Sequence, residues 1–290
     1  MIDIHSHPMH IKELVDQDPD LGRYVKSVYG VQSHPHSLES HIYQLDVAGI
    51  DQAVIMPIDC TTAHGCTLVK NEQIAWLMEE NPRFIGFASI DPRNPGATRQ
   101  LEKAVKEYGL RGLKLDPSLQ QFNVQDEDHA YPVYQLCSEL NIPILFHSGM
   151  SWSPLGLADL SNPIKFEKII QAFPNLKIII SQFGWPWVNE AFMLAIKYKN
   201  VFLETSILFS GTPSDSVRQV LEQQIGIENL SRSLAGQIVF GSNTPRVDPK
   251  RLAWAIKDLG LDPALEKKIL HSNAETLLTQ TGRVKHEVHT

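Results

Sequence analysis

The chain has 290 residues, 42% hydrophobic and 20% charged, with a formal net charge of -7 and a pI near 5.9. Such a composition excludes a disordered polypeptide and lacks the basic footprint of a nucleic-acid-binding protein, and no apolar run approaches the ~20 residues that cross a bilayer. Cys60, Cys66 and Cys137 are odd in number and scattered, as expected of reduced thiols, and the chain opens on a strand pattern without a signal-peptide profile. A cytoplasmic location, a small-molecule substrate, and neither a nucleic-acid nor a membrane partner are therefore the expectations.

Short apolar runs alternate with longer amphipathic stretches along the whole chain. The first run, 2–5, ends in Asp3-Ile4-His5-Ser6-His7, and a long segment from Pro8 to Pro35 separates it from a helical pattern at 37–48. Strands follow at 52–56, 84–88, 112–115, 143–147, 177–181, 201–205 and 238–241. Helical patterns lie at 68–80, 97–108, 131–140, 164–172, 187–198, 214–224 and 249–259. Ser37 and Pro249 mark helix starts, and Gly49 and Gly109 mark ends. Eight strand-helix units with no Gly-rich phosphate loop predict an α/β chain closed into a single-domain (β/α)8 TIM barrel over residues 1–280. An open doubly wound sheet is the alternative. Residues 281–290 read as a C-terminal tail, in which His286 and His289 receive no role. The segment Pro8 to Pro35 is too long for a simple turn and is expected on the rim of the site.

In such a barrel, reactive groups collect at the C-terminal strand ends. His5 and His7 stand two apart on a strand, which puts them on one face, and neutral imidazoles suit zinc and its neighbours. His147 closes the run Ile142-Pro-Ile-Leu-Phe-His and is the expected third ligand of one divalent metal, most readily zinc. Lys114 and Asp116 share one face of the fourth strand, as a catalytic pair or as a structural ion pair. Glu204 and Asp59 are further candidate bases. His64 and Arg246 are candidate substrate contacts, with a loop arginine as the plainer reading of Arg246. Trp152 and Trp185 are expected to wall the pocket, and Trp187 to anchor the following helix. His10, His34, His36, His41, His129 and His271 are expected on the surface or at helix ends.

The chain resembles the amidohydrolase superfamily, in the branch that includes the aminocarboxymuconate-semialdehyde decarboxylases. The resemblance covers nearly the whole chain. It is carried by D-I-H-S-H at Asp3, G-L-K-L-D-P around Lys114, P-I-L-F-H-S-G around His147, F-G-W-P-W after Gln182 and F-G-S-N-T-P around Asn243. It implies a (β/α)8 barrel with one divalent metal on His5, His7 and His147, performing hydrolysis or non-oxidative decarboxylation. Two positions depart from the family pattern: Gln182 replaces a usual histidine at the end of the sixth strand, and Asn243 a usual aspartate at the eighth. Amides hydrogen-bond but do not exchange protons near neutral pH. The family's fourth-strand lysine is carbamylated in some members to bridge two metals, a role not expected here without the aspartate. The expected activity is therefore metal-dependent hydrolysis of a small carboxylated or cyclic substrate, a lactone or amide, by activated water. A carboxy-lyase on the same scaffold, a metal-free lactonase and a binding protein that has lost catalysis are the alternatives. Many barrels of this kind pair, which leaves a homodimer open, although no residue locates an interface.

Overall fold

Strand β1 (Ile2–Ser6) is buried along its whole length, so water reaches neither face, and its apolar residues match a strand covered by helices on one side and barrel filling on the other. The computed structural model describes residues 1–32 and 34–279; the tail at 281–290 and Gln280 lie outside the described residues. After β1 come β2 (Gln52–Ile55), β3 (Phe84–Gly86, continuing as Ala88–Ser89), β4 (Leu113–Leu115), β5 (Ile144–Phe146), β6 (Ile178–Ile180), β7 (Val201–Glu204) and β8 (Ile238–Val239).

Each strand pairs in parallel with its sequence neighbour. The ring closes through Ile4 N–H to Phe240 O at 3.0 Å, Asn243 N–H to His5 O at 2.7 Å and His7 N–H to Thr244 O at 2.7 Å. The molecule is thus a closed barrel rather than an open sheet, as the strand-helix alternation predicts. Alternation of side chains divides the core. Leu113, Leu115, Ile144, Phe146, Ile178 and Ile180 pack outward against the helices. Ile2, Ile4, Val54, Met56, Ile85, Phe87, Leu145, Ile179 and Val239 fill the interior, where Ala274, Leu277 and Leu278 join them. The helix Asn273–Thr279 therefore plugs one end of the barrel, leaving the polar ends of the strands to line the other.

The helices follow the predicted pattern with local differences. Ser37 caps Leu38–Ala48 by accepting the Ser40 N–H, and Gly49 ends it with a left-handed φ of 71°. The stretch predicted as helix at 68–80 begins as a strand: Cys66–Leu68 pairs antiparallel with Ile58–Cys60, and the helix runs Asn71–Glu80. The segment after β1 folds into Lys12–Gln17 and two short turns ending at Tyr29, then returns alongside itself through an Ile11–His36 bridge. This return buries His10 and His41, which the sequence placed at the surface or at helix ends, and stacks His36 on His41 with ring centroids 5.8 Å apart. Among the described residues the three cysteines are free and buried, and no helix is long and apolar enough to cross a membrane.

Candidate active site

At the polar end of the barrel His7, Tyr29, Lys114, Asp116, Leu119, His147, Ser151, Trp152, Gln182, Asn243 and Arg246 line a narrow cavity. A register shift in the β1–β2 ladder between Asp3 and Ser6 accompanies the arrival of both His5 and His7 at this mouth. Their Nε2 atoms stand 3.2 Å apart. His7 donates its Nδ1–H to Met56 O at 3.0 Å, which leaves its Nε2 as a lone pair. His5 Nδ1 lies 3.1 Å from Glu204 Oε2. Glu204 is fully buried and receives Gln182 N–H at 3.1 Å, Ser206 N–H at 2.6 Å and the Ser206 hydroxyl at 2.8 Å. Burial pushes its carboxyl up to about 8, and these donors pull the other way. When ionised it takes the His5 Nδ1–H and leaves the His5 Nε2 lone pair facing that of His7; when protonated it donates to His5 Nδ1, and His5 Nε2–H then donates to His7 Nε2.

Two lone pairs at this separation repel unless a cation lies between them. Ligands about 2.0–2.1 Å from a tetrahedral zinc are themselves roughly 3.3 Å apart, so the pair fits such an ion. Burial lowers both imidazoles well below their usual range, with Lys114 adding to the effect, so both are neutral as ligation requires. The Nε2 of His147 is buried without a hydrogen-bond partner among the described residues, the state of a donor awaiting a ligand. Burial likewise holds His147 down to about 4. No group of three or more His, Cys, Asp or Glu side chains among the described residues converges as a ready cluster. The described residues thus bring only His5 and His7 within reach of one ion, a pair whose chemistry fits a divalent metal, while His147, expected as the third ligand, lines the same cavity without joining them in a cluster.

Lys114 is fully buried, its Nζ 3.5 Å from His5 Nε2, and burial brings its ammonium down to about 8 while Asp116 and Glu204 raise it. It makes no direct ion pair with Asp116 among the described residues; the Asp116 carboxylate lies 4.0 Å from Nδ1 of the neutral His147. Asp116 also accepts the Leu119 N–H and so begins the turn that brings Leu119 to the cavity wall. Gln182 sits at the end of β6, where it and Phe183 both adopt left-handed φ values of 58° and 51°, and its Nε2 lies 3.5 Å from His147 Nδ1. Asn243, with φ 56°, accepts the Tyr29 hydroxyl at 3.2 Å on Oδ1. Arg246 lies over the Tyr29 ring at 4.0 Å and donates to the Tyr29 carbonyl.

Other sequence candidates take different places. His64 is not part of the cavity wall; its Nε2 lies 2.9 Å from Leu119 O, where it braces the turn after Asp116. Trp152 lines the mouth at 45% exposure, whereas Trp185 stacks on Phe209 at 4.3 Å and is not part of the wall. Trp187 stands at the N-cap of the helix Val188–Lys197 and makes no side-chain capping hydrogen bond there. Asp59 is consumed by the backbone N–H groups of Thr61 and Asp91 and so organises a loop. Glu204 works behind His5 rather than in the cavity. Tyr29 was missed. It lies in the rim segment the sequence marked as too long for a turn, but no periodicity or motif singled it out.

Comparison with known proteins agrees with the barrel fold. Over 98% of this chain and 99% of theirs, the coordinates match an uncharacterized TIM-barrel protein of Bordetella bronchiseptica at TM-score 0.76 and 25% identity. The 5-carboxyvanillate decarboxylase LigW of Sphingomonas paucimobilis matches at TM-score 0.67 and 16% identity, over 96% of this chain and 98% of that one. The 4-oxalomesaconate hydratase LigJ of Rhodopseudomonas palustris matches at TM-score 0.63 and 21% identity, over 97% and 96%. Protein fluG of Emericella nidulans is 27% identical over 94 residues, 32% of this chain but only 11% of that protein. Residues 2–279 match the family described as Amidohydrolase. The chain belongs to the amidohydrolase family.

Proposed function

We propose that this chain is a divalent-metal-dependent hydrolase acting on a small carboxylated lactone or amide. The observation that carries the reading is the convergence of the His5 and His7 Nε2 atoms, 3.2 Å apart, where His7 meets a cavity also lined by Lys114, Asp116 and Arg246. His5 and His7, with His147, would hold the metal, zinc by the nature of the ligands; when bound, it supplies Lewis acidity and brings the pKa of a water near ~7.

The protein's own groups supply the rest. Asp116 accepts a proton from the attacking water, and Lys114, poised near neutral pH by its burial, protonates the departing oxygen or nitrogen. Arg246, without an ion-pair partner among the described residues, orients the substrate carboxylate. Gln182 and Asn243 hydrogen-bond without exchanging protons. A carboxy-lyase is the second reading, and one observation favours it: Lys114 is a proton donor inside the cavity, which the amides at 182 and 243 are not.

The test is metal content per chain by plasma mass spectrometry, on protein purified without chelator or histidine tag, beside His5→Ala. Near-stoichiometric metal that disappears in His5→Ala is expected. Retention of metal in His5→Ala, or none after incubation with zinc, would refute the assignment. Assays for ring-opened acid and for released carbon dioxide, on a panel of lactones and aromatic acids, then separate hydrolysis from decarboxylation.

A further inference from the structure

Tyr29 enters the cavity from the rim and meets three site groups at once. Its ring stands edge-on to His7 with centroids 5.6 Å apart, its face carries the Arg246 guanidinium at 4.0 Å, and its carbonyl accepts from the same guanidinium. Its hydroxyl donates to Asn243 Oδ1 at 3.2 Å. Asn243 cannot drift to another pose easily. Its backbone N–H is tied to His5 O at 2.7 Å, its carbonyl accepts Arg246 N–H at 2.9 Å, and its left-handed φ is one that asparagine tolerates well.

A protonated phenol can donate or accept, and in this contact it donates, with the amide turning its oxygen to Tyr29. The remaining face of the amide is its NH2 group. No hydrogen bond reaches that nitrogen among the described residues, and Asn243 lines the cavity. An aspartate here would show the cavity a negative acceptor; the locked asparagine shows it two donors. Arg246, over the same ring and also lining the cavity, adds N–H groups and positive charge.

Resting on the reading above of a carboxylated substrate in this cavity, we propose that Tyr29 is a positioning residue that sets specificity. It holds Asn243 with its amide nitrogen toward the cavity and Arg246 beside it, so that the eighth-strand position grips a substrate carboxylate instead of ligating metal or taking a proton. The residue the sequence read as a loss is, in this arrangement, a change of partner from cation to anion.

The test compares benzoate with its neutral isostere benzamide by calorimetry or ligand-observed NMR, on metal-loaded wild type, Tyr29→Phe and Asn243→Asp. Metal content and thermal midpoint are recorded for each. Wild type is expected to prefer benzoate. Tyr29→Phe keeps the ring under Arg246 but frees the amide, and should lose about tenfold in benzoate affinity with little change for benzamide, the scale of one hydrogen bond to a charged group. Asn243→Asp should lose about 100-fold or more for benzoate and reverse the preference. If both variants bind benzoate as wild type does, the proposal fails while the carboxylate reading stands. If Asn243→Asp instead tightens metal binding and leaves benzoate unaffected, position 243 is a metal position and the proposal fails. If metal-loaded wild type shows no preference for benzoate over benzamide, the carboxylate reading falls and takes the proposal with it.

Discussion

Replacing Glu204 by glutamine tests the logic of the site most sharply, because the two variants of that side chain differ by little more than a proton and a charge. In the structure the carboxyl group is surrounded by donors: Gln182 N–H, Ser206 N–H, the Ser206 hydroxyl and His5 Nδ1–H, at 2.6 to 3.1 Å. There is no space to turn away, since a methyl on Gly241 would already lie 2.5 Å from Oε1. In Glu204→Gln the new NH2 must face at least one of these donors, and each buried group left unpaired costs about 1–3 kcal/mol. At the Oε1 position the NH2 opposes the Ser206 N–H; at the Oε2 position it opposes the Gln182 N–H and His5 Nδ1, and there it forces the imidazole proton to Nε2 and removes the lone pair that faces His7. Stability should therefore fall by about 2–4 kcal/mol, and metal affinity by about 10–100-fold, the usual effect of losing the group that orients a ligating histidine. Urea denaturation at neutral pH gives the first quantity, and competition with a chelator of known affinity gives the second. The refuting result is a variant as stable as wild type with the same metal affinity. That would mean Glu204 is a neutral acid already donating to His5, for which glutamine is a close substitute, and the lone-pair assignment at His5 would be wrong.

Other substitutions separate stability from function. Lys114 is fully buried with its ammonium brought down to about 8 from 10.5, so folding disfavours its charged form; the cost is full below pH 8 and vanishes above pH 10.5. Lys114→Met should therefore raise stability at pH 7 by about 3 kcal/mol in urea denaturation while lowering turnover by about 100-fold or more; an unchanged or lower stability would show that the lysine is well compensated. His41 is buried with its pKa lowered by burial to about 4 from 6.5, so the unfolded chain takes up a proton that the folded chain refuses. Its contribution is intact above pH 6.5 and is lost as pH falls toward 4, by up to about 3 kcal/mol. Thermal midpoints of wild type and His41→Phe, followed from pH 7 to 4.5, should diverge with the variant falling less; parallel curves would refute this. Gly149 has φ 90°, and a Cβ there would lie 1.9 Å from Trp185 O, a contact no side-chain rotation relieves. Gly149→Ala should cost at least about 3 kcal/mol or prevent folding, and a midpoint within a degree or two of wild type would overturn the geometry.

The sequence by itself determined the barrel. Eight apolar runs such as 52–56 and 177–181 alternate with amphipathic stretches, and parallel strands buried on both faces leave little choice of architecture. It also determined which residues stand at the strand ends, because the period of two places His5 with His7 and Lys114 with Asp116 without reference to the rest of the chain. Partners across the barrel were decided only by tertiary structure. Lys114 faces His5 rather than pairing with Asp116, Glu204 turns to His5 from 199 residues away, and Asp59 is spent on its own loop. The strand of residues 66–68, whose last residue fell in a helical pattern, went unread because three residues are too few to show a period. Tyr29 and the buried histidines 10 and 41 were illegible for a related reason: their burial comes from the path of an irregular segment folding back on itself, and hydrogen bonds such as His36 N–H to His10 O leave no trace in local periodicity. Local alternation is a property of neighbours in the chain, whereas the polarity of Asn243 depends on a tyrosine 214 residues away, and only closure of the barrel brings the two together.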